Sequence, residues 1–189
     1  MRLSRVRLSV SIFLLSLCTI SSTAQRHHRD PLSQPEIDQI RDASWEPQQR
    51  LKLYVQFARD RLTRLEQIRT DPKTKERAQQ THDLLDDFLL IYDELNDNLD
   101  TYSDRKDDIR KPLKLVIEAD TEFQAKLRAL KEAANVPAQE ANQYEFVLSN
   151  AIDTVDTSAD DHKQLLADQE VAAKQKKLVT PGKGTEKRQ

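Results

Sequence analysis

Residues 1–181 contain no glycine; the only two, Gly182 and Gly184, fall among the last eight residues of the chain. Glycine is the residue that reaches positive φ without steric cost. Dinucleotide and P-loop folds place it where backbone amides approach phosphate, and tight hairpins need Gly or Asn at left-handed positions. Residues 25–181 offer no Gly-rich phosphate loop, no Asn-Gly or Asp-Gly turn and no strand-like alternation. Helices joined by short connections remain, and the fold expected is all-α.

The prolines mark where those helices begin, since proline is tolerated in a first helical turn and disrupts a helix interior. Ser33-Gln34-Pro35-Glu36 reads as a capping box opening a short helix that carries Ile37 and Ile40. Ser44 and Pro47 introduce a helix to about 69, and Asp71-Pro72 introduces one to about 106. Asp107-Asp108 with Pro112 introduce a helix to about 135, and Val136-Pro137 one to about 176. The apolar residues recur in sevens. Ala78, Leu85, Tyr92 and Leu99 form one line, beside Phe88, Leu95 and Tyr102; Thr81 is the one polar interruption. Ile109, Val116, Phe123 and Leu130 form another, widened by Leu113 and Leu127. Such a period gives near-parallel, left-handed packing.

Charge alternates from helix to helix: residues 46–70 carry net +3, 78–104 net −8, 109–135 net +2 and 138–173 net −7. Short connections make sequence neighbours antiparallel, so opposite charges would lie side by side. The architecture expected is an antiparallel up-down-up-down bundle of four long helices preceded by one short helix. The neighbour rule puts Tyr54 level with Phe88, Tyr92 with Phe123, and Phe123 with Leu148 or Ser149, giving one aromatic layer with Phe57 and Tyr144.

The first 24 residues read as a secretory signal peptide. Arg2, Arg5 and Arg7 form the positive region, Leu8 to Ile20 an apolar run too short to span a bilayer, and Ser22-Thr23-Ala24 a small-residue site before Gln25. Removing 24 of the 189 residues leaves 165, with 27 basic and 32 acidic groups, net −5, and takes away the only Cys and the only Met. Disulfides and cysteine chemistry are then excluded. The organisation expected is a signal peptide over 1–24, a flexible leader over 25–32, a bundle domain over 33–173 and a basic, disordered tail over 174–189. The expected localisation is exported, periplasmic or extracellular, with no stable membrane span after cleavage.

Sites for chemistry are scarce. His27-His28 lie between Arg26 and Arg29, whose charges oppose a metal. A di-iron bundle wants Glu-x-x-His from two helices; Gln79 stands three before His82 and Ala159 three before His162. No nucleophile elbow surrounds Ser103, Ser149 or Ser158. No catalytic residue, metal site or cofactor is therefore expected, and an acidic exported body does not suit nucleic acid. Asp86, Asp93, Asp97, Asp100, Asp104 and Asp107 line the helix face opposite the apolar seam; a solvated face is the first reading and a docking surface for a basic partner the second. Leu53, Leu90, Leu115 and Phe146 fall off the seam, and Phe146, on the far side of its helix, is the candidate partner contact.

The function expected is that of an exported, non-enzymatic bundle working through a protein or an envelope polymer, with a homodimer compatible. The alternative is a periplasmic small-molecule or metal-binding bundle with its ligand in the core. A polar group buried opposite Thr81, His82 or His162 would favour the alternative; an apolar interior would favour the interaction protein.

Overall fold

The computed structural model describes residues 30–133 and 136–179. The expected signal peptide, His27-His28 and the tail beyond residue 179 lie outside the described residues. Six helices follow one another: α1 Gln34–Asp42, α2 Pro47–Thr70, α3 Arg77–Asp104, α4 Arg110–Lys131, α5 Ala138–Ala141 and α6 Glu145–Val179. Among the described residues no strand forms, and no helix is long and apolar enough to cross a membrane.

Helix α1 begins as its sequence directs. The Glu36 carboxylate reaches back to accept from the Ser33 backbone N–H at 2.7 Å and the Ser33 hydroxyl at 2.8 Å. The same carboxylate receives both terminal nitrogens of Arg61 at 2.7 Å, and Arg61 also donates to the Pro31 carbonyl at 2.6 Å. This clamp fixes α1 on α2, burying Ile40 and Ala43. The short helix therefore covers α2.

Two helices start later than the prolines suggest. Asp71-Pro72 does not cap α3. The Thr74 N–H bonds back to the Asp71 carbonyl at 3.2 Å, and the Asp71 carboxylate accepts from the Lys73 N–H at 2.9 Å. Asp at the first and Pro at the second position is β-turn chemistry, and residues 72–76 hold no apolar side chain worth presenting to a core. Likewise Val136-Pro137 opens only the single turn α5, none of whose residues is buried. The long last helix begins at Glu145, after a break held in place by Glu140, which receives Arg77 Nε and Nη2 at 2.8 Å each. At its other end α6 continues to Val179, so residues 174–179, expected in a disordered tail, are helical.

Helix α3 closes on a Schellman motif. Asp107 N–H bonds to the Tyr102 carbonyl at 3.0 Å and Lys106 N–H to that of Ser103 at 2.8 Å, with Lys106 at φ 60° where glycine is the usual occupant. Gln169 of α6 then holds the connection from outside. Its amide donates to the Asp107 carbonyl and accepts from the Ile109 N–H, both at 3.1 Å.

The long helices pack α2 against α3 and α4 against α6, with α2 also beside α4 and α6 beside α3; α3 and α4 face each other across the core. Ion pairs give the register. Arg59–Glu122 at 2.8 Å and Glu66–Lys126 at 2.6 Å run in step along parallel α2 and α4. Lys114–Glu170 at 3.4 Å and Arg128–Asp156 at 2.7 Å run in opposition along antiparallel α4 and α6. The two closest pairs thus join oppositely charged helices, as expected, but α3 and α4 do not lie side by side.

The detour through α5 also slides α6 by about ten residues. Phe123 lies level with Ala159, not with Leu148 or Ser149, because Asp120 meets His162 and Gln124 meets Asp156. Phe88, Tyr92 and Phe123 form the expected aromatic contact, fully buried, with centroids 5.3–6.1 Å apart. Tyr144 is displaced from that layer to the end of α2, where Arg69 bonds its hydroxyl at 3.1 Å.

Candidate functional site

The aromatic contact carries a polar chain at its centre. Tyr92 Oη donates to Asp120 Oδ1 at 2.7 Å, and His162 Nδ1 meets Asp120 Oδ2 at 2.8 Å. The three come from α3, α4 and α6 and are 0%, 1% and 5% exposed. Burial first, then the neighbouring Asp120 charge, push the Tyr92 hydroxyl far above its ordinary range, so it stays protonated and donates. With a proton on Nδ1, His162 donates to the second oxygen. A buried carboxylate is tolerated only when such partners replace its water. Ser158, one turn before His162, lies against the same tyrosine hydroxyl and accepts from Asn96 Nδ2 at 3.0 Å.

This network answers a charge problem created by sequence, and its signal was present in the heptads. Asp120 stands midway between Leu113 and Leu127, and His162 continues the line Leu148 and Val155, so both occupy seam positions. The acid is indistinguishable by type from Glu118 and Glu122, its neighbours on the solvent side. Thr81 is also fully buried, with its hydroxyl unpaired.

An aspartate orienting a histidine is half of an acid–base constellation. Here the imidazole is packed against the Tyr92 ring, 6.4 Å between centroids, the Tyr92 hydroxyl is bound to Asp120, and the Ser158 hydroxyl is engaged by Asn96. Among the described residues no three His, Cys, Asp or Glu side chains gather as a metal site would require. Among the described residues, clefts lie at both ends of the bundle, and Tyr92, Asp120 and His162 do not line those described below. One of about 520 Å³ lies between Pro47, Pro112 and Glu170; one of about 540 Å³ lies between Lys106, Leu165 and Lys176. The third, of about 240 Å³, lies at the opposite end among Leu130, Ala141 and Leu148.

On the surface, Asp86, Asp93, Asp97, Asp100 and Asp104 are all exposed along α3. Partial burial, then the nearby Asp97 and Glu94 carboxylates, raise the Asp93 carboxyl above its ordinary value. Of the four off-seam residues, Leu53 is core, Leu90 is half-buried, and Leu115 and Phe146 turn outward. Phe146 is 87% exposed, between buried Tyr144 and Val147. Trp45, in the α1–α2 turn, is 92% exposed, which the sequence pattern did not single out. Comparison with known proteins gave no match to a family model, to a curated protein or to a solved structure.

Proposed function

We propose that this protein is an exported, non-enzymatic helical bundle that works through its outer surface, engaging a protein or an envelope polymer. The observation that carries this reading is Phe146, a large apolar side chain held almost wholly in solvent on a rigid helix whose inner face is filled. A solvated phenyl ring on an ordered element is an anchor waiting for a pocket. The acidic row Asp93, Asp97, Asp100 and Asp104 supplies a second element, suited to a basic partner. A photo-crosslinking residue at position 146, in protein exported by its native host, should give one discrete adduct; the same residue at Glu118 should not. Absence of any adduct at 146 would defeat the reading. N-terminal sequencing of the exported chain should begin within a few residues of Gln25, and an intact Met1 would remove the export part.

The alternative, a bundle that binds a metal or small molecule in its core, is favoured by one observation: Asp120 is a polar group buried opposite His162. Against it, both Asp120 oxygens are already engaged from within the chain. Native mass spectrometry of protein from its own source separates the two. A stoichiometric bound metal or metabolite, lost in Asp120→Asn, would establish the alternative.

A further inference from the structure

The cleft between the end of α3 and the last turns of α6 has a volume of about 540 Å³. That falls within the range of about 300–1,000 Å³ usual for small-molecule sites. One wall is the α3–α4 connection with the residues flanking it, and the other is α6 from Leu165 to Lys176. Gln169 ties the two walls together, its side-chain amide bonded to Asp107 and to Ile109 at 3.1 Å each. Neither wall moves without breaking those bonds. Where α6 passes the connection it presents Ala172 and Ala173, whose single methyl groups leave the space open, and Leu165 extends the apolar surface.

The charged groups of the cleft pair off until one cation remains. Arg110 holds Asp108 at 2.6 Å, Arg105 holds Asp107 at 3.1 Å, and Gln164 donates to Asp168 at 2.9 Å. Lys176 is likewise engaged. Lys106 is exposed, and among the described residues no ion pair or hydrogen bond reaches its ammonium. With Arg105 counted, the cations around the cleft outnumber the carboxylates by one. The Lys106 backbone sits at φ 60°, a conformation that costs a non-glycine residue roughly 1–2 kcal/mol. Residues held in such conformations cluster at ligand clamps. Here the cost keeps an ammonium on the cleft wall where glycine would leave none. A partner that completes the cleft brings one negative charge joined to an apolar body. We infer that the cleft binds a small amphipathic monoanion, an alkyl or aryl carboxylate, with its carboxylate on Lys106 and its hydrocarbon along Leu165, Ala172 and Ala173. An inorganic anion would leave the apolar wall uncovered, and a neutral hydrocarbon would leave Lys106 unanswered. Phe146 and the Tyr92–Asp120–His162 network do not line this cleft, and the inference does not rest on the interaction role proposed for Phe146.

Titration with decanoate of the chain purified from its native host, followed by amide NMR, tests this. The shifts should saturate below the micelle-forming concentration, and the largest should fall on Lys106, Gln169, Ala172 and Ala173. Decanol, with the same hydrocarbon chain and no charge, should bind about tenfold more weakly, the scale of one hydrogen bond to a charged group. Lys106→Gly should weaken decanoate to the level of decanol while raising the unfolding midpoint, so that misfolding does not explain the loss. Lys106→Arg should keep the affinity. Ala172→Trp, at an exposed position, should block both ligands by filling the space. Inorganic phosphate should give no saturable shift at these amides. Decanoate that does not saturate, or whose shifts centre elsewhere on the bundle, would overturn the inference. So would equal affinity for decanoate and decanol, which marks an apolar groove without anion selectivity. Phosphate binding as tightly as decanoate, or Lys106→Gly binding decanoate as well as the parent chain, would overturn it too.

Discussion

Three side chains at the centre of the bundle set the terms for any substitution there. Asp120 serves both Tyr92 and His162, so its loss strands two buried polar groups, and each costs about 1–3 kcal/mol when left unpaired. Asp120→Ala should therefore destabilise by roughly 3–5 kcal/mol in urea unfolding, the scale of breaking a buried pair from one side. Asp120→Asn keeps an acceptor for Tyr92 and lets His162 adopt the other tautomer, and should cost clearly less. Equal losses in the two variants would mean that shape and not hydrogen bonding is what this position supplies. Phe123, wholly buried between Phe88 and Tyr92, should cost about 3–5 kcal/mol on truncation to Ala. The heptad line from Ile109 to Leu130 made that residue legible as core. It did not expose the role of Asp120, because an acid on a seam reads as an interruption until its partner on another helix is known.

At the level of elements, prolines located the starts of α1, α2 and α4 within a few residues but misplaced α3 and α6. The same Asp-Pro pair serves a helix cap or a β-turn, and residues beyond it decide between them. The α3–α4 register followed from counting, which put Tyr92 level with Phe123. The α4–α6 register did not, because Arg77 captures Glu140 from 63 positions away. Lys106 shows what a glycine-free body costs locally. A non-glycine residue at a left-handed position is disfavoured by roughly 1–2 kcal/mol, so Lys106→Gly should raise stability by about 1 kcal/mol, read as a higher unfolding midpoint. The α1 clamp should answer to acid. Burial opposes ionisation of Glu36, but hydrogen bonds from Arg61 and Ser33 outweigh it and bring its pKa from 4.5 to about 2. A carboxyl that titrates lower when folded contributes fully above the unfolded value and loses that contribution as pH falls. Amide exchange in α1 should therefore quicken as pH falls from 4.5 toward about 2, after correction for intrinsic rates. In Arg61→Ala the Glu36 titration, followed by NMR, should move back toward 4.5.

For the molecule as a whole, the opposite charges of α2 and α3, and of α4 and α6, fall on its two closest-packed helix pairs. Exposed ion pairs contribute only about 0–1 kcal/mol each, so their value lies in choosing which helices adjoin. The stability resides in one continuous apolar cluster drawn from every long helix, and unfolding should be cooperative. The chain passes from α3 to α4 across the core and not to a flanking neighbour, and this divides it at the Lys106–Ile109 connection into two hairpin-like halves. Each half brings its own intimate helix pair, while the contacts between halves join an apolar core around Tyr92, Asp120 and His162 to a set of outer ion pairs that includes Arg59–Glu122 and Arg77–Glu140. Such a molecule is a two-piece kit. Residues 30–106 and 107–179, produced as separate polypeptides, should reassemble when mixed and regain helical signal and a cooperative melt, and Tyr92→Phe in the first piece should loosen the match. The single covalent link between them would then be a convenience of synthesis, dispensable once the pieces have met.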